Sequence, residues 1–462
     1  MAATDNPCCQ NDRNPQDYSM LKPSLSAALI IAALSAFAQT SPVAYLGAKI
    51  IPVHGDPIEQ GILVIDAGKI VALGPLGSVT IPANATHVDV TGKTIMPGLV
   101  DSHSHIGGWP GFGADDSSPI QPETRVIDGI DARDATVQRA QSGGITTANI
   151  MPGSGNLVSG QTLYAKLRDV GSIEDMVITL PDGRMAGGVK MANGTNSIKQ
   201  TTHAKFPGSR AKSAALVREA FIAAGEYRDK LALHADDPEK RPARDLGLET
   251  LVEVLAGRRT VQHHTHRHDD ILTVLRLKRE FGFNVVLQHV SEGWKVADQI
   301  AAAGVACSLI VLDSPGGKLE ARDFAWRTGA VLEKAGVLVG FHTDDYIVDS
   351  RFFLRAAALA VRGGMSREGA LRALTINNAK ILELDDRIGS LEPGKDADFI
   401  VLSGDPLSAY TRIEQTYIEG QCVFDITDPA DQLFADGGFG ASAPTAPYLC
   451  CYSTQIDFAQ NH

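Results

Sequence analysis

Cysteine is scarce and poorly spaced for metal binding: the 462 residues contain six, with no C-x-x-C pair, which argues against thiolate ligation. If the N-terminus is cleaved after Ala38, Cys8 and Cys9 leave with it, and Cys307, Cys422, Cys450 and Cys451 define no disulfide framework. Positive charge is also short, with 42 Lys and Arg against 54 Asp and Glu and a net charge of -12. That balance argues against nucleic acid and against attraction to anionic lipid, and leaves a small-molecule substrate as the expected partner. Long apolar runs are missing too. The most extended, residues 25–37, falls well short of the roughly 20 residues that span a bilayer, so no stable membrane anchor is expected.

That short run has another use. A basic start at Met20-Leu-Lys22, the apolar stretch and the small-x-small triplet Ala36-Phe37-Ala38 describe a signal peptide over residues 20–38, and so export to the periplasm or beyond. Residues 1–19 are polar and aperiodic, as in a disordered extension. The tail, residues 426–462, carries no functional signal.

Between these ends the pattern changes twice. Residues 43–93 and 383–425 hold short β-like runs punctuated by glycine, and two half-sheets at opposite ends of a chain can complete one small β-sandwich domain. From 94 to 382, β-branched runs alternate with helical patterns such as AALVREAFIAAGEYRDKL and DDILTVLRLKREFG. The runs TIMPGLVDSHSH, GITTANIM, MVITL, GGVKMA, RTVQHHTH, FNVVLQHV, GVACSLIVL and VLVGFHTDD supply the eight strands that a closed barrel needs. The expected fold is therefore α/β, a (β/α)8 TIM barrel with a β-sandwich built from both chain ends. The stretch 193–259 is too long for a simple connection and is expected to hold an extra helix and a lid loop.

Of 13 histidines, many fall at the carboxyl ends of these strands, the catalytic face of a parallel barrel. His103 and His105 end the first strand, and a period of two points both imidazoles the same way. The fifth strand ends in HHTH, with either His264 or His266 as the candidate ligand; the sixth ends at His289, and the eighth carries His342, Asp344 and Asp345. Neutral imidazoles and a carboxylate with one open position suit a borderline-soft divalent ion, Zn(2+) in the first instance. Such an ion lowers the pKa of bound water toward about 7, and a carboxylate such as Asp344 can move the proton to a leaving amine.

Taken together, PGLVDSHSHIG, His264, His289, the aspartate of HTDD and the closing IGSLEPGKDADFIVLSGDP resemble the amidohydrolase superfamily, in its imidazolonepropionase-like branch, over roughly residues 43–424. The resemblance implies a first metal on His103 and His105, a second on His264 and His289, and Asp344 as ligand and general acid/base. It also implies a carboxylated lysine bridging two ions, for which GGVKMANG offers Lys190; if Lys190 lies at the surface, the site holds one ion. His266 then touches substrate or supports a ligand, and His263, His268 and His342 are polar neighbours. Members of the superfamily often form homo-oligomers, and the oligomeric state stays open.

Substrate contacts are sought in the glycine-rich NIMPGSGNLVSGQT, through Ser159 and Gln161, and in the guanidinium forks of Arg267 and Arg351, although an ordinary loop reads the same way. The implied reaction is hydrolysis of an amide or peptide-like C–N bond by metal-activated hydroxide, with dipeptidase or carboxypeptidase activity among the candidates. A mononuclear deaminase or cyclic amidase is the alternative, but superfamily deaminases carry H-x-x-E after the fifth strand, and HTHRHDD has no glutamate. A metal-free scaffold conflicts with the retention of His103, His105, His264, His289 and Asp344.

Overall fold

The computed structural model describes residues 41–437 except 109–114, 116, 200–205, 313–317 and 346. The expected extension, the signal peptide and most of the tail lie outside the described residues. Strands β1 (Val43–Ile50), β2 (Ile58–Asp66), β3 (Lys69–Pro75), β4 (Thr86–Asp89) and β5 (Thr94–Pro97) come first. Then follow β6 (Leu99–Ser104), β7 (Ile145–Ile150), β8 (Val158–Gln161), β9 (Leu163–Lys166), β10 (Val189–Ala192), β11 (Val261–Thr265), β12 (Val285–His289), β13 (Ala306–Ile310) and β14 (Val339–His342). Last are β15 (Phe399–Leu402), β16 (Ile413–Ile418) and β17 (Gln421–Asp425).

Both chain ends meet in one eight-stranded sheet, ordered β17-β16-β15-β5-β1-β2-β3, with β4 beside β1. The join is the antiparallel pairing of β15 with β5, Phe399 opposite Pro97 and Leu402 opposite Thr94. Tyr45, Leu63, Phe399, Val401 and Tyr417 form a separate apolar core there. Phe399 stacks on Tyr417 at 4.4 Å, and Tyr45 meets Phe399 edge-on at 5.0 Å. Hydrogen bonds run without a break from β17 to β3 through this sheet.

The middle of the chain builds a six-stranded sheet, β14-β13-β12-β11-β10-β8, and a three-stranded sheet, β6-β7-β9. Strands β10 to β14 are parallel in sequence order, and β6, β7, β11 and β12 are buried along their whole length, polar residues included. Across the two sheets, Asp344 N donates to His103 O at 2.9 Å.

The third strand corrects the sequence reading. MVITL, residues 176–180, forms only the isolated bridges Ala165–Val177 and Thr179–Met185. Its place is taken by β8 and β9, consecutive in the chain, which run antiparallel to β10 and β7 respectively. Gly160, at φ +125°, lets Thr124 approach so closely that a Cβ would lie 2.0 Å from Thr124 Oγ1. The glycines that make this run look like a loop are the ones that let it pack as a strand.

In the long insertion the structure shows two helices, Arg210–Leu233, capped by Ser209, and Leu246–Leu255, capped by Asp245. The described part of the tail adds a helix, Pro429–Asp436, begun by Asp428 with proline in its first turn and ended by Gly437 at φ 67°.

Candidate metal centre

Six imidazoles and one carboxylate converge at the carboxyl ends of β6, β11, β12 and β14. Three groupings bring donor atoms within 4.8 Å of one another: His103, His105 and Asp344; His264, His266 and His289; and His103, His289 and His342. Two of these residues hold left-handed backbone, His289 at φ 71° and Asp344 at φ 50°. Strain of that kind in non-glycine residues persists only where the surroundings enforce it, and it clusters at functional sites.

Around the first grouping, Asp344 Oδ1 lies 3.0 Å from His105 Nε2 and 3.2 Å from His103 Nε2, and the two ring nitrogens are 3.3 Å apart. His105 Nδ1 donates to Met151 O at 2.7 Å, so its lone pair is on Nε2, facing the carboxylate. Asp101 ties the two strand ends together: it accepts from His103 N at 3.2 Å, Thr343 N at 3.1 Å and Thr343 Oγ1 at 2.5 Å. Lys190 is fully buried on β10, with Nζ 2.9 Å from His103 Nε2 and 3.0 Å from Met151 Sδ.

In the second grouping His264 and His289 meet edge-on at 4.3 Å, and His266 stacks on His289 at 4.9 Å. Ser291 Oγ is 2.8 Å from His266 Nδ1, and Lys318 Nζ is 3.2 Å from His264 Nε2. Lys318 is paired with Glu320 at 2.7 Å, which also accepts from Thr195 N at 2.8 Å.

Electrostatics follow from burial. Loss of solvent, with help from the Lys190 charge, pushes the His103 imidazole down to about 3. Burial and then Lys318 bring His266 to about 3, and burial brings His263 to about 4. Burial also holds His264, His289 and His342 well below the ordinary imidazole value. Burial alone raises the Asp344 carboxyl, but the His103 and His289 rings and the close approach of His103 and His105 carry it well below the carboxylate range. His103, His264, His266, His289 and His342 are therefore neutral imidazoles gathered around an anion. Among its buried nitrogens, His103 Nδ1, His264 Nδ1 and His289 Nε2 have no hydrogen-bond partner. Imidazole nitrogens crowded on a carboxylate, some without a hydrogen-bond partner, are the donor set a divalent cation satisfies.

The other residues singled out from sequence are placed differently. Ser159 is buried with its hydroxyl unpartnered, while its carbonyl accepts from Thr124 Oγ1 at 2.7 Å. The Gln161 amide is used on Thr250 Oγ1 at 3.0 Å and Pro122 O at 3.4 Å. Arg267 forks onto Asp269, both bonds 2.9 Å, and His268 Nδ1 reaches Glu292 at 2.6 Å. Arg351 forks onto Asp349 and packs over Gly143, just before the start of β7 and so at the opposite end of that strand from Met151. His263 turns away, its Nδ1 3.0 Å from His264 O.

Four participants have little or no signal in the sequence. His342 joins the donors, and its even spacing from Asp344 was the available clue. Met151, Asp101 and Lys318 come into contact with the cluster only through packing.

Comparison with known proteins gives the family. The Amidohydrolase family matches residues 94–423. A solved amidohydrolase of Thermotoga maritima MSB8 is 34% identical with a TM-score of 0.77, over 83% of this chain and 100% of that one. Amidohydrolase tasK of Hapsidospora irregularis is 27% identical over 375 residues, 75% of this chain but 38% of its own length. The 5-methylthioadenosine/S-adenosylhomocysteine deaminase of Symbiobacterium thermophilum is 26% identical over 410 residues, 78% of this chain and 84% of that one. Because the matched span takes in every donor from His103 to Asp344, the chain belongs to the amidohydrolase family.

Proposed function

We propose that the protein is a metal-dependent hydrolase of an amide or peptide-like C–N bond, with its strands closed into an eight-staved barrel in which the third stave runs antiparallel. The observation that carries the reading is the approach of His103 Nε2, His105 Nε2 and Asp344 Oδ1 to within 3.3 Å of one another in a buried cluster. His103, His105 and Asp344 would hold one divalent ion, and His264 and His289 a second, with His266 at its side. When bound, the ion supplies Lewis-acid polarisation of the scissile carbonyl and lowers the pKa of water.

The chain's own groups do the rest. Asp344, anionic and held by two imidazoles, accepts a proton at its carboxylate and returns it to the departing nitrogen. Lys190, once its ammonium has given up a proton, would take up CO2 at the amine with loss of a second proton, and the resulting anionic carbamate would supply oxygen ligands. Its full burial on β10 beside His103 supports that role. Burial of the donors excludes bulk water and strengthens each of these interactions.

Metal content per chain, measured by elemental analysis for the parent and for Lys190→Ala, tests the reading. Two ions in the parent, falling to one or none in the variant, together with turnover of dipeptides or cyclic amides, support it. A parent that cannot take up zinc ends it. One ion, unaffected by the substitution, removes the lysine bridge.

A further inference from the structure

A line of hydrogen bonds runs from the strand backbone into the donor cluster, and its polarity is constrained by chemistry. Ser102 Oγ lies 3.2 Å from Phe341 O, which can only accept, and 2.7 Å from Ser308 Oγ. Ser308 Oγ is 2.7 Å from His342 Nδ1, and His342 Nε2 is 3.1 Å from His289 Nδ1. All four side chains are buried.

Each hydroxyl has one proton to give. With Ser102 donating to Phe341 O, Ser308 donates to Ser102 and accepts from His342 Nδ1–H. His342 Nε2 then holds a lone pair and accepts from His289 Nδ1–H. The only lone pair left on His289 is at Nε2. Run the other way, the same line places a proton on His289 Nε2, a buried atom with no hydrogen-bond partner. An orphaned buried N–H is rarely tolerated, whereas a bare lone pair is what a metal ligand needs.

We propose that Ser102, Ser308 and His342 are positioning residues that hold His289 in the tautomer with its lone pair on Nε2. The inference rests on the reading of this cluster as a metal centre and adds what sets the polarity of one ligand. His342 therefore acts through His289.

The experiment uses the full chain labelled with 15N-histidine and stripped of metal by a chelator. Two-bond 1H–15N correlation at neutral pH reads the tautomer of His289 directly. The expected signal is protonated Nδ1 with a pyridine-type Nε2, and a protonated Nε2 overturns the proposal. Ser308→Ala, which breaks the line, is expected to mix the tautomers and to weaken zinc binding about 10- to 100-fold in competition with a chelator. Ser308→Thr keeps the hydroxyl and restores both. A Ser308→Ala chain with unchanged tautomer and unchanged zinc affinity overturns the proposal. Should that variant not fold, His342→Gln keeps an acceptor for His289 Nδ1–H; it is expected to retain the tautomer, and losing it counts against the proposal. A parent chain that shows the expected tautomer yet binds no zinc ends the metal reading and leaves the hydrogen-bond line standing.

Discussion

Two fully buried lysines, Lys166 on β9 and Lys190 on β10, meet opposite surroundings. Lys166 is 2.5 Å from Asp396, 3.0 Å from Asp398 and 3.2 Å from Glu419. Asp396 also takes Lys69 at 2.5 Å and Arg387 at 3.0 Å, and Glu419 takes both forks of Arg168 at 2.8 Å. That lattice of four cations and three carboxylates ties β9 to the sheet that both chain ends share. Lys190 instead touches an imidazole nitrogen and a thioether sulfur, in a cluster with orphaned nitrogens. A buried polar cluster that closes on itself holds the fold together; one left open is built to receive something.

Four experiments test that contrast. The largest expected effect comes from Asp344→Asn, which should lower kcat at least about 100-fold, the scale of a lost general acid/base, while the melting temperature stays close to that of the parent. Equal loss of activity and of fold would erase the distinction. Next, Lys166→Met leaves two buried carboxylates, Asp396 and Asp398, and the half-buried Glu419 without their shared cation. Urea unfolding should show a loss of about 3–5 kcal/mol, with metal content per folded chain unchanged.

The two clusters should also separate by pH. In metal-free protein His103 and His266 sit at about 3 and His263 at about 4, below the ordinary 6.5 of the unfolded chain. Unfolded chains then bind more protons, so stability falls as pH drops from 6.5 toward about 3. Asp396 and Glu419 are held at about 2, by Lys166 and Arg168 against the opposing effect of burial, so their contribution is lost only as pH falls from about 4 toward 2. Unfolding titrations of the metal-free parent should show the upper window, and Lys166→Met should weaken the lower one. A parent flat from pH 6.5 to 4 contradicts the neutral-imidazole account.

The smallest effect is expected for Arg267→Gln. Its pair with Asp269 is largely exposed, and such pairs contribute about 0–1 kcal/mol. Unchanged stability and KM would leave Arg267 a surface ion pair, whereas a raised KM would return it to substrate binding.

Much of this was legible in the sequence, because strand-end periodicity is local. The imidazoles of His103 and His105, the carboxylate of Asp344 and the helix 268–281 follow from spacing within one element. The third strand was not, since its glycines mimic a loop and MVITL mimics a strand. The motif GKDADFIVL marked where the chain returns to the terminal sheet, but nothing in it announced that Asp396 and Asp398 would close on Lys166.

The sequence alone determined which residues end most of the strands and that the candidate donors are imidazole and carboxylate. Tertiary structure alone decided that Asp344 meets His105 across 239 positions, that Lys190 rather than Lys166 faces the imidazoles, and that a serine line sets the polarity of His289. Periodicity fixes the direction of a side chain within its own strand. Convergence depends on how strands far apart in sequence register side by side, and only their packing carries that information.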